Sequence, residues 1–122
     1  MMLNQMPAGR PEPQWTKYYA GNAFEDCEWR VEEMEILGVK QRYIMIRGTI
    51  MRSNSLTIDM PEGVNIHYPF SYDCFVIQYV KRSGNIQFWT TNGSVSGYPY
   101  NSINFNNMFS TGSRFLLFAR VK

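Results

Sequence analysis

The chain has 122 residues and a mass of 14.3 kDa, which leaves room for one domain with a core of its own. Hydrophobic residues make up 44% and charged residues 18%, a balance that excludes an intrinsically disordered chain. The formal net charge is +2, and the bases are scattered singly apart from Lys81-Arg82, which speaks against a nucleic-acid footprint.

Residues 1–14 contain Pro7, Gly9, Pro11 and Pro13 and read as an extended lead-in or connector. The folded domain is expected over 15–122. No signal-peptide core is visible at the start and no apolar run approaches the roughly 20 residues of a membrane span. The expectation is therefore synthesis in a cytoplasm without membrane insertion. Aromatics reach 16%, and Ala occurs only at positions 8, 20, 23 and 119, so good strand formers dominate.

Trp15, Tyr18 and Tyr19 open the domain with rings that need cover. Residues 25–37 are acidic and admit either periodicity; the strand reading puts Trp29, Val31, Glu33 and Glu35 on one side, and a clear strand follows across Gly38. That strand, 42–51, alternates Ile44, Ile46 and Ile50 against Tyr43, Met45, Arg47 and Thr49. Gly48 within it points to a bulge or a close backbone neighbour. Ser53-Asn54 turns the chain into 56–60, with Leu56, Ile58 and Met60 inward, and Pro61-Glu62-Gly63 ends it.

An aromatic loop, 67–72, precedes a strong strand over 74–80. Residues 81–85 read as a hairpin into 86–91. Residues 92–101, rich in Gly, Ser and Tyr, read as a long exposed loop. Strands over 102–108 and 114–121 complete about eight, at spacings near ten residues. The fold class is all-β, a sandwich or a barrel.

Charge is divided along the chain. Residues 1–35 carry seven acids and three bases, net −4, and the remainder three acids and nine bases, net +6. The two parts are complementary within one molecule or between subunits.

Catalytic chemistry finds little support. His67 is the only histidine, no Gly-x-Ser-x-Gly elbow accompanies it, and Cys74 opens an apolar strand where a buried thiol is inert. The expectation is no catalytic residue and no enzyme. The acidic clusters lack a Gly-punctuated calcium loop, and one His with two Cys outside a Cys-x-x-Cys is a poor zinc set, so no metal or cofactor is expected. Cys27 and Cys74 read as free thiols. Asn92-Gly93-Ser94 matches a glycosylation acceptor and serves better as a turn.

A binding surface is the remaining reading. Trp89, Asn92, Tyr98, Tyr100 and Asn101 combine flat rings with amides, a kit for stacking on a sugar and meeting its hydroxyls. Two other readings stand beside it: a structural subunit whose aromatic loops touch neighbouring proteins, and a single-strand-binding barrel that stacks bases on Phe75, Phe88 and Trp89.

Several segments together carry a likeness. Tyr43-Ile-Met-Ile-Arg-Gly-Thr-Ile50, Leu56-Thr-Ile-Asp-Met-Pro-Glu-Gly63, Tyr68-Pro-Phe70, Phe75-Val-Ile-Gln-Tyr79 and Ser83-Gly-Asn-Ile-Gln-Phe88 follow one another in order. This order resembles the C-terminal head domains of bacteriophage tail-fibre and baseplate receptor-binding proteins, with Met60 where those carry leucine. The likeness spans residues 42–91 and does not extend beyond Asn101. It implies a jelly-roll-like antiparallel β-sandwich, a homotrimer, recognition of a cell-surface saccharide, contacts with other tail proteins, and a place on the virion tail.

Overall fold

A computed structural model describes residues 14–52, 56–66, 74–82, 85–95, 100–105 and 111–122. Among them there is no helix. Nine strands form: β1 (Thr16–Lys17), β2 (Phe24–Ile36), β3 (Val39–Ile50), β4 (Leu56–Asp59), β5 (Cys74–Arg82), β6 (Asn85–Asn92), β7 (Ser94–Val95), β8 (Ser102–Phe105) and β9 (Arg114–Val121). They make a six-stranded sheet, β1-β2-β3-β9-β5-β6, and a three-stranded one, β4-β8-β7, with every pairing antiparallel.

The acidic stretch is a strand because its partner completes it. β2 and β3 form a long hairpin whose register sets Glu33 opposite Arg42 and Glu35 opposite Lys40. Glu28 Oε1 accepts a hydrogen bond from Arg47 Nε at 3.1 Å. Opposite charges across a pair stabilise a sheet by a few tenths of a kcal/mol up to about 1 kcal/mol. Within this hairpin, then, the acidic front of the chain meets the basic stretch that follows it. Leu37 and Gly38 close the hairpin with φ of 51° and 80°, the doubly left-handed geometry of a type I′ turn.

The expected bulge is present. Register slips between Glu25 and Glu28, leaving Asp26 and Cys27 to face Gly48. Asp26 takes the left-handed conformation there, with φ 55°.

Strict alternation governs the central strands. On β3, Ile44, Ile46 and Ile50 are buried, and on β9 Phe115, Leu117, Ala119 and Val121 are. Each fully buried Ile or Leu contributes roughly 1.5–3 kcal/mol before chain entropy is counted. Ile58, Ile103 and Phe105 of the small sheet join Val76, Phe24 and Cys27 of the large one in a single buried cluster. The Phe24 and Phe115 rings lie 5.3 Å apart, tilted by 59°.

The chain changes sheet four times, and two of these crossings show their geometry. Gly93 stands between β6 and β7, where an added Cβ would come within 2.5 Å of Ile103 and of Phe105. The turn from Pro61 to Val64 closes on a hydrogen bond from Val64 N–H to Pro61 O, with Gly63 at φ 82°.

The segment 92–101 departs from its reading as one exposed loop. Ser94 and Val95 pair with Asn104 and Ile103, and Tyr100 is half-buried against the core. A loop whose first residues find ladder partners is drawn inward, since pairing satisfies backbone groups that a loop leaves to water.

Candidate functional site

Of the five residues singled out for binding, the structure describes Tyr100 and Asn101 down to the side chain and Trp89 and Asn92 by their pairing. Trp89 pairs with Gln78, and Asn92 with Phe75, both on β6. Phe75 and Phe88, named with Trp89 for base stacking, lie on β5 and β6. Tyr100 carries φ 60° and its carbonyl accepts the Ile66 N–H at 2.8 Å. Asn101 is exposed, and its carbonyl accepts the Met60 N–H at 2.8 Å. Tyr98 and His67 lie outside the described residues.

The register gathers a different set. Ile58, Ile103 and Phe105 point into the core, so the residues between them stand on the outward face of the small sheet. Thr57 pairs with Asn104 and Asp59 with Ser102, and Ser94 adds a third column beside Asn104. Thr57 Oγ1 donates to Asn104 Oδ1 at 2.7 Å. Hydroxyls, an amide and a carboxylate thus occupy one face, without a cation.

A tyrosine borders this face. The Asp59 N–H donates to the Ala20 carbonyl at 3.0 Å, and the Tyr18 hydroxyl donates to the Asp59 carbonyl at 2.8 Å. These two bonds draw residues 18–20 along β4, and Tyr19 is left 74% exposed. Asn101 precedes Ser102 directly, so of the predicted residues it is the one that adjoins the face. The polar residues that alternate with Ile58 and with Ile103 and Phe105 are the sequence signal for this face.

Tyr18 also ties the small sheet to the bulge, since its N–H donates to the Cys27 carbonyl at 3.1 Å. Burial pushes its phenol well above the usual range, and the nearby Cys27 and Asp59 add to the shift. Burial likewise pushes the Cys27 thiol up to about 11, against the opposing pull of Arg114. Cys27 is a free, buried cysteine. Register separates its backbone from that of Cys74 by on the order of 20 Å, beyond the roughly 7 Å a disulfide spans.

On the other side of the molecule, Trp15 lies beneath two guanidinium groups, Arg47 at 4.0 Å and Arg30 at 5.1 Å from the ring centre. Glu28 and Glu32 pair with those same arginines. This cluster pins β1 to the sheet and is charge-compensated.

Among the described residues, no helix is long and apolar enough to cross a membrane. No family model, no curated protein and no solved structure matches the chain. The likeness to phage tail heads therefore rests on the order of segments over residues 42–91.

Proposed function

We propose that the protein is a non-enzymatic adhesion module that docks a cell-surface carbohydrate through the outward face of its small sheet, serving as a receptor-binding element of a virion tail. The observation that carries this reading is the face formed by Thr57, Asp59, Ser102 and Asn104, with exposed Tyr19 and Asn101 beside it. Sugar hydroxyls need donors and acceptors at short reach, which Thr, Ser, Asn and Asp supply, and a tyrosine ring offers a plane for the C–H face. The wiring supports a jelly-roll-like sandwich. The chain changes sheet after β3, β4, β6 and β8, and the last strand inserts between β3 and β5. Nothing among the described residues selects three-fold assembly, which stands on the resemblance alone.

Glycan-array binding of the purified full chain tests the reading. Thr57→Ala, Ser102→Ala and Tyr19→Ala are expected to weaken a retained glycan by about tenfold or more each, the equivalent of one hydrogen bond or stacking contact, with the thermal midpoint held. Retention of no glycan, or retention indifferent to all three changes, would overturn it.

Leu37 favours a second reading, a structural virion subunit. It is 99% exposed at the tip of the β2–β3 hairpin, beyond the reach of β9, which pairs with β3 only from Arg42 to Thr49. Co-purification with virion proteins, lost in Leu37→Asn and insensitive to added sugar, would support that alternative.

A further inference from the structure

The two edges of the large sheet are unlike. At one, β1 covers β2 only at Glu28 and Trp29. The uncovered run 30–36 carries Arg30, Glu32, Glu33 and Glu35, and charges along an edge discourage a further strand. At the other, β6 pairs with β5 through all eight residues, and among the described residues no strand lies beyond it. Asn85-Ile-Gln-Phe-Trp-Thr-Thr-Asn92 contains no charge, no proline and no glycine. An antiparallel strand directs half of its backbone N–H and C=O groups away from its one partner. An uncharged edge of this length, with this β-propensity, is a template for another strand.

The strand that fits it best is its own copy. A two-fold axis normal to the sheet and passing through Phe88 sets Phe88 against Phe88, Gln87 against Trp89, Ile86 against Thr90 and Asn85 against Thr91 of the second copy. No pair carries a charge, so an isologous joint meets no repulsion. The same operation on β2, centred on Glu33, lays glutamate directly on glutamate and is disfavoured. We propose that two copies of the chain join β6 to β6, antiparallel, into one continuous twelve-stranded sheet. This goes beyond the carbohydrate reading and does not depend on it, because the small sheet's outward face takes no part in the joint.

Sedimentation of the full chain at up to roughly 100 μM tests the proposal by mass action. The unaltered protein is expected at twice the chain mass. Thr90→Lys and Ile86→Lys, which put a charge on the edge, are expected to weaken association at least tenfold, whereas Glu33→Lys on the opposite edge leaves it intact. Should the lysine variants misfold, hydrogen exchange of the unaltered protein decides: alternate β6 amides gain protection as concentration rises. A single-chain mass throughout, a three-chain mass, an association that Thr90→Lys leaves unchanged, or β6 amides insensitive to concentration would each overturn the proposal.

Discussion

A β-carbon on Gly48 would lie 2.7 Å from the sulfur of Cys27, and 3.1 Å from both the Glu25 carbonyl oxygen and the Phe115 ring. The bulged residues of β2 rest on the one β3 position that has no side chain. Gly48→Ala is expected to destabilise by about 1–3 kcal/mol, the usual cost of overpacking a core, seen as a lower urea midpoint. With Cys27→Ala in place that cost shrinks by about 0.5 kcal/mol or more, because the nearest atom is gone while Glu25 and Phe115 remain. Strictly additive losses would show that the glycine is not there to admit the sulfur.

Alkaline pH should weaken the fold in a defined window. The Cys27 thiol, about 9.0 in its ordinary state, is held at about 11 in the folded protein. Between those values the unfolded chain binds fewer protons than the native one, so stability present below pH 9 is lost as pH rises toward 11. Tyr18, also pushed up by burial, acts with the same sign at still higher pH. Urea midpoints at pH 7.5, 9 and 10.5 should fall for the unaltered chain and fall less for Cys27→Ala; equal slopes would refute the assignment to this thiol.

The hairpin tip can be improved. Leu37 occupies a left-handed position that asparagine adopts at lower cost, and its side chain is 99% exposed. Leu37→Asn is expected to stabilise by about 0.5–1 kcal/mol and raise the thermal midpoint by a few degrees. A drop in the midpoint would mean that the tip is not the regular I′ turn described.

Gly93→Ala should be the more damaging glycine change. Its Cβ would come within 2.5 Å of Ile103 Cγ2 and Phe105 Cε1, both fully buried. The expected loss is about 2–3 kcal/mol or more, seen as a lower urea midpoint. A midpoint shift under a few tenths of a kcal/mol would place the corner elsewhere.

Much of this architecture is legible residue by residue. The alternation of Ile44, Ile46 and Ile50, and the mark of Gly48 as a bulge or close approach, appear in the chain and in the structure alike. The acidic strand is harder to read locally. Glu33 and Glu35 look misplaced until Arg42 and Lys40 stand opposite them across a turn. The 92–101 segment misleads because Ser94-Val95 is too short to announce a strand, and its partner, Ile103-Asn104, lies further along the chain. The polar face stayed hidden for the same reason: Thr57 and Asn104 are 47 residues apart and meet only through pairing.

By itself the sequence determined the period-two alternation, the break at Gly38 and the turn chemistry at Pro61-Glu62-Gly63, and hence an all-β chain, since these depend on neighbours a few residues away. The tertiary structure alone decided that β9 lies between β3 and β5, which outward faces adjoin, and that β6 stands last in the large sheet among the described strands. Such choices join residues up to 79 positions apart, and their energy comes from burying both faces at once, a quantity no local stretch contains.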